Sequence, residues 1–209
     1  MAGSCNNSCG DSCVPTGLAE SQRRILIWVL VINATMFVVE ASAGWVANSS
    51  ALLADSLDML GDSIAYGFSL YVIARGPRWT AISALLKGSI MALFGLFVLG
   101  EVAYKLIWPV LPVAETIGFI GVLALVANLT CLLLLTRHRS DDINMHSVWL
   151  CSRNDIIANT GVLLAAGGVA LTGQGWPDIV MGLIIATLFL RSAFQVFGRA
   201  IKQLRESSP

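Results

Sequence analysis

The sequence predicts an all-α membrane protein, a six-transmembrane-helix bundle with both termini in the cytosol. Three observations carry that expectation. Only 12% of the 209 residues are charged while 56% are hydrophobic, and the mean hydropathy is +0.76; a soluble domain carries about a quarter charged residues. The apolar residues fall in six long runs, and about 20 such residues cross a bilayer as a helix. The Lys and Arg residues between the runs gather at alternate ends.

The runs lie at 25–47, 51–74, 80–106, 113–135, 146–172 and 177–198. Turn chemistry separates them: Asn48-Ser49-Ser50, Arg75-Gly76-Pro77-Arg78, Pro109 with Pro112, Arg137 through Asn144, and Gly173 through Pro177. Arg23, Arg24, Arg75, Arg78, Arg137, Arg139, Arg199, Lys202 and Arg205 mark one set of ends, against Lys105 at the other. The positive-inside rule assigns the basic ends to the cytosol, and Trp45, Trp108 and Trp176 suit the opposite interface. The expected division is a flexible Cys-containing cytosolic tail (1–22), a transmembrane domain (23–199) and a short cytosolic tail (200–209). The first 22 residues lack the basic start and apolar core of a signal peptide.

Thirteen acidic and thirteen basic residues leave no net charge, so nothing points to nucleic acid. Five cysteines, with Cys131 and Cys151 inside apolar runs, do not read as a disulfide framework. Two halves of three helices each would have opposite topology, the inverted repeat of many transporters.

The chemistry lies in the second and fifth runs. Asp55, Asp58 and Asp62 are spaced by three and four, which sets them on one helical face. Each ionised aspartate near the bilayer centre costs about 2.5–3.5 kcal/mol on insertion scales, so three together demand compensation. In the fifth run Cys151, Asp155 and Asn159 share a face by the same rule. Helices two and five are antiparallel in a six-span topology, and Asp58, Asp62, Cys151 and Asp155 are the expected metal ligands. Four such donors suit tetrahedral Zn²⁺, and a thiolate also suits softer Cd²⁺. From the estimated ends, Asp62 sits at mid-helix and Asp155 about 6 Å to the cytosolic side.

Accessory roles are expected of Asp55, Asn159, His146 and the tail cysteines Cys5, Cys9 and Cys13, which recur at every fourth residue. His138, Asp141, Asp142 and His146 gather at the cytosolic mouth of helix five, where a solvated loop is the plainer reading. Cys131 reads as packing, and Asn33 and Asn159 as cross-helix hydrogen-bonders or liners of a water path. Glu101 and Lys105 are four apart and expected to pair. Glu40 is a further acid in an apolar run, facing an unassigned neighbour.

The run from Glu40 to Asp62, EASAGWVANSSALLADSLDMLGD, resembles the first two helices of the cation diffusion facilitator family. Asp58-x-x-x-Asp62 and Cys151-x-x-x-Asp155 fall on the family's paired motifs, and Trp176-Pro177-Asp178 resembles the start of its sixth helix. The resemblance spans residues 23 to 206. It departs from the family at Cys151, where His or Asp is usual, and in lacking a histidine-rich loop and the cytosolic C-terminal domain.

The resemblance implies a homodimer in a lipid bilayer, in the cytoplasmic membrane of a bacterium, without a resident cofactor. It implies a secondary active transporter rather than an enzyme, exporting a divalent metal (Zn²⁺, alternatively Cd²⁺ or Co²⁺) against protons. The competing readings are a metal-binding sensor or assembly subunit, or an importer of a softer ion. An intramembrane aspartyl protease fits poorly, because Met59-Leu60-Gly61-Asp62 lacks the first glycine of the Gly-x-Gly-Asp motif.

Overall fold

A computed structural model describes residues 16–72, 76–138 and 143–206. They form six helices: α1 (Thr16–Ala47), α2 (Ser50–Val72), α3 (Gly76–Ile107), α4 (Ala114–Thr136), α5 (Ile143–Thr172) and α6 (Trp176–Glu206). Each expected run is one helix. The ends differ in an instructive way. α1 starts nine residues before the apolar run, inside the stretch expected to be a flexible tail, and α6 continues to Glu206. Hydropathy measures the thickness of the lipid, whereas a helix continues into water wherever residues such as Glu, Gln, Lys and Arg favour it. The cysteines Cys5, Cys9 and Cys13 lie outside the described residues.

Two breaks are shorter than expected, because Pro77 and Pro177 fall in the first turns of α3 and α6. Proline is tolerated there, since its missing N–H would have no helical partner. Two helix ends are closed by left-handed residues. Asn48 has φ 52°, and the bonds Ser49 N–H to Gly44 O (2.9 Å) and Asn48 N–H to Trp45 O (3.3 Å) form a Schellman cap. Gly173 has φ 62°, and its N–H donates to Val169 O at 2.9 Å, ending α5.

The connections α1–α2, α3–α4 and α5–α6 meet at one end of the bundle. There Val113 N–H donates to Ala47 O at 3.0 Å, and a Cβ added to Gly175 would stand 3.0 Å from Val110 O and 3.2 Å from Pro112 Cδ. Trp45, Trp108 and Trp176 are exposed at this end, as interfacial aromatics should be; it is called the outer end below. α1 packs on α2, α3 on α6 and α4 on α5, and α2 also touches α3, α5 and α6. The outer-half core joins Ala47, Ala51, Ala54, Val98, Ile117, Val162, Ala165 and Ala186. Small residues let helix backbones approach, which is how helices associate in lipid.

Polarity is arranged as lipid dictates. Large apolar side chains such as Phe119, Leu164, Leu171 and Phe194 face outward, while Asn33, Glu40, Asp55, Asp62, Asn128, Asp155 and Asn159 are buried. Among the described residues, Glu20–Ala47, Ala114–Thr136 and Asp155–Thr172 are long and apolar enough to cross a membrane by composition alone. The three aspartates of α2 make that helix more polar than its depth in the bundle suggests.

Candidate metal centre

At the outer end, α2 begins on a built polar support. Ser49 caps the helix, its Oγ accepting Leu52 N–H at 3.0 Å. The same hydroxyl donates to the Asp178 carboxylate of α6. Asp178 also accepts Ser50 N–H at 2.6 Å and Ala51 N–H at 3.3 Å. Lys105 places its ammonium beside this turn, donating to Asn48 O at 2.7 Å and Ser50 Oγ at 2.8 Å. Its third partner is Glu101 at 3.0 Å, the pair expected from their spacing. An ammonium has three donors, and all three are used.

From this support α2 runs inward with its acids. Asp55 and Asp62 are buried and Asp58 is partly buried. Asn159 of α5 donates to Asp55 Oδ1 at 3.4 Å, so the acidic face of α2 turns toward α5. The same Asn159 amide donates to Asp155 O at 2.8 Å, holding its rotamer on the α5 backbone. Asp155 is buried one turn further inward.

The Asp55–Asn159 bond fixes the register of the two antiparallel helices. At 1.5 Å per residue, Asp58 stands about 4.5 Å and Asp155 about 6 Å inward of that level. Asp62 and residue 151 follow at about 10.5 and 12 Å. Asp155 thus lies about 4.5 Å outward of Asp62, the reverse of the cytosolic offset expected from the estimated helix ends, and level partners fall as Asp58 with Asp155 and Asp62 with Cys151. The side chains of Cys151 and His146 lie outside the described residues. Among the described residues, no three His, Cys, Asp or Glu side chains are grouped closely enough to hold a metal ion.

The inward side of Asp62 is closed by groups that spacing and burial, rather than any motif, could have flagged. Tyr66, buried and one turn further along α2, donates its phenol to Asp62 Oδ2. Cys131 of α4 is within electrostatic reach of Asp62, and Asn33 of α1 donates to its Sγ at 3.7 Å. Cys131 is therefore both a packing residue and a neighbour of the acid row. Asn33 and Asn159 each bond across helices, as one of their two readings held.

Arg153 points away from the acids, stacked 5.6 Å over the Trp149 ring. His138 corrects its expected setting: it is buried, within 3.4 Å of Ser21 Oγ, because α1 extends far enough to cover the end of α4. Asp141 and Asp142 lie outside the described residues.

A bundle with lipid-facing apolar sides and a buried acid row defines a polytopic membrane protein built around an intramembrane polar centre. The sequence model of the cation efflux transmembrane domain matches residues 26–204, and the chain belongs to that family, the cation diffusion facilitators. It is 26% identical over 203 residues to the zinc transporter ZitB of Yersinia pestis, covering 91% of this chain and 65% of the relative. It is 26% identical over 205 residues to the cadmium, cobalt and zinc/H(+)-K(+) antiporter of Bacillus subtilis, covering 90% of this chain and 65% of that protein. The metal cation efflux system protein CzcD of Cupriavidus metallidurans is 24% identical over 200 residues, covering 89% of this chain and 63% of the relative. The chain thus spans just under two thirds of the length of these relatives.

Proposed function

We propose that this chain is a secondary active transporter that moves a divalent transition-metal ion out of the cytosol in exchange for protons. Zn²⁺ is the first candidate cargo and Cd²⁺ or Co²⁺ the next, as the names of the related transporters suggest. The proposed ligands are Asp58 and Asp62 of α2 with Cys151 and Asp155 of α5. A homodimer in the cytoplasmic membrane of a bacterium is the proposed setting.

The observation that carries the reading is the Asn159–Asp55 hydrogen bond. It supports a register in which both pairs of proposed ligands sit at matching depths on facing helices. One level of two carboxylates and one of a carboxylate with a thiolate are chemically suited to Zn²⁺, and the sulfur extends the range to softer ions.

The exchange follows from charge. Three carboxylates and a thiolate, all deprotonated, would set four negative charges against a dication in a setting poor in water. A metal ion and a proton compete for the same lone pairs, so metal entry releases protons and metal release takes them up. Opening the centre to each side in turn converts that competition into counter-transport.

Reconstitution into proteoliposomes loaded with a metal-sensitive dye and a pH dye tests the proposal. Metal movement with opposing proton flux is expected. Metal binding without movement would favour a sensor or assembly subunit, and movement without proton flux at any pH would overturn the exchange.

A further inference from the structure

Cys131 of α4 is a free, fully buried thiol, and its surroundings are more polar than packing alone requires. It shares a cluster with Tyr66, whose phenol holds Asp62, and it is within electrostatic reach of Asp62 itself. From α1, the Asn33 amide nitrogen donates to Cys131 Sγ at 3.7 Å and to Val29 O at 2.9 Å. Asn33 is 1% exposed, yet its Oδ1 has no hydrogen-bond partner. That oxygen stands one amide width from the nitrogen on Sγ. Buried polar atoms of native proteins nearly always have partners, and a buried acceptor left unpaired bears its full desolvation cost.

Depth brings the thiol to the metal centre. Gly118 lies against Ala166, Gly121 against Leu163 and Thr136 against Trp149. These pairs set α4 on α5 so that Cys131 is level with Arg153 and Asn154, between the two proposed ligands of α5. The Asp55–Asn159 bond puts Asp62 level with Ser152. Cys131, Asp62 and residue 151 therefore fall within about 4.5 Å of one another along the bundle.

We propose that Cys131, with Asn33 Oδ1 and Asp62, forms a sulfur-bearing subsite for a soft dication on the α1–α4 side of the centre, and that it sets the carrier's preference for such ions. The subsite rests on the proposed function for the arrival of metal at Asp62. Zn²⁺ is satisfied by four donors of mixed type, whereas a softer ion gains more from each added sulfur. Metal binding releases the thiol proton to the water that brings the metal. The Asn33 N–H, already on Sγ, remains a donor to the thiolate so formed, and its oxygen supplies the neutral donor beside it.

The test is the thiolate-to-Cd²⁺ charge-transfer band in the ultraviolet, read on the purified full chain carrying Cys5→Ser, Cys9→Ser, Cys13→Ser and Cys151→Ser, with Cys131 as the remaining thiol. Cd²⁺ should bring up the band, adding Cys131→Ser should abolish it, and adding Asn33→Ala should weaken Cd²⁺ binding by about tenfold, as loss of a supporting partner does at metal sites. In the otherwise unchanged chain, Cys131→Ser should keep Zn²⁺ uptake into vesicles and lower the preference for Cd²⁺ over Zn²⁺ by about tenfold. Should the chain with one thiol fail to fold, the band is read with Cys151 restored, where Cys131→Ala should halve it. A band that does not depend on Cys131, or an unchanged Cd²⁺ preference in both Cys131→Ser and Cys131→Ala, would overturn the proposal. Zn²⁺ uptake without a Cys131 band sinks the subsite and leaves the carrier; a Cys131 band in a protein that moves no metal sinks the carrier and leaves the subsite.

Discussion

The Asp178 carboxylate of α6 accepts the Ser50 backbone N–H of α2 at 2.6 Å. Two helices distant in sequence are thereby tied at the point where the acid-bearing helix begins. The first N–H groups of a helix have no partner within it, and its N-terminus carries partial positive charge. A carboxylate is the natural group to meet both needs. Because Ser49 and Lys105 join the same contact, α6, α3 and the α1–α2 turn share one anchor. The depth of Asp55, Asp58 and Asp62 in the bundle is measured from it.

Asp178→Asn therefore tests the anchor. The amide keeps the shape and can accept one N–H, but it brings an NH₂ against donors and removes the charge beside Lys105. Loss of a charged hydrogen bond costs about 1.5–3 kcal/mol. The expected result is a lowered Tm in detergent together with weaker transport of every metal alike. A shift in metal preference with unchanged Tm would place Asp178 in the metal path instead.

Gly182 tests the same contact sterically. A Cβ there would stand 2.9 Å from Ser50 Cβ and 3.2 Å from Ser50 C, and backbone atoms do not move aside cheaply. Gly182→Val should destabilise by about 1–3 kcal/mol, as overpacking does. Gly61, whose added Cβ would meet nothing within 4 Å, provides the control: Gly61→Ala should leave the unfolding temperature close to that of the parent.

Much of this arrangement was legible in the sequence because lipid leaves the chain few choices. Six apolar runs must be helices, since each backbone polar group in lipid needs a partner within its own segment. The spacing of Asp55, Asp58 and Asp62 alone set them on one face. Asp178 was visible only as part of a familiar tripeptide, because its partners are backbone N–H groups more than 120 residues away. Tyr66 was overlooked although it stands four residues beyond Asp62. Glu40 was noticed without a neighbour, since only packing brings α1 beside Asp55. The helix ends beyond the membrane were misplaced because hydropathy is silent once a helix enters water.

Tyr66 offers a test of the inward side of the centre. Its phenol donates to Asp62 Oδ2, a bond that metal ligation by that oxygen would have to replace. Tyr66→Phe removes the competitor and leaves the ring. The expected outcome is tighter metal binding by isothermal titration, by about the tenfold that 1.4 kcal/mol represents, with slower release on the outer side. Weaker binding would mean that Tyr66 orients Asp62 for the metal rather than competing with it.

The last prediction concerns which ion is carried and how acidity affects it. Asp62→Asn should abolish metal uptake into vesicles while leaving a folded protein, since an amide cannot supply an anionic donor. Cys151→His should retain Zn²⁺ movement, because Zn²⁺ accepts nitrogen and sulfur alike, and should lose preference for Cd²⁺, which favours sulfur. Protons and metal contend for the same lone pairs, so apparent affinity must fall as pH is lowered on the metal-loading side. For the parent that fall should be shared between carboxylates and thiol. In Cys151→His it should begin only at lower pH, because a free imidazole gains its proton near pH 6.5 whereas a free thiol does so near 8.5. Uptake across a panel of Zn²⁺, Cd²⁺, Co²⁺, Ni²⁺, Fe²⁺ and Mn²⁺ at several pH values measures both effects. A fully active Asp62→Asn protein would remove the proposed centre, and an unchanged Zn²⁺ to Cd²⁺ ratio in Cys151→His would remove the sulfur from it.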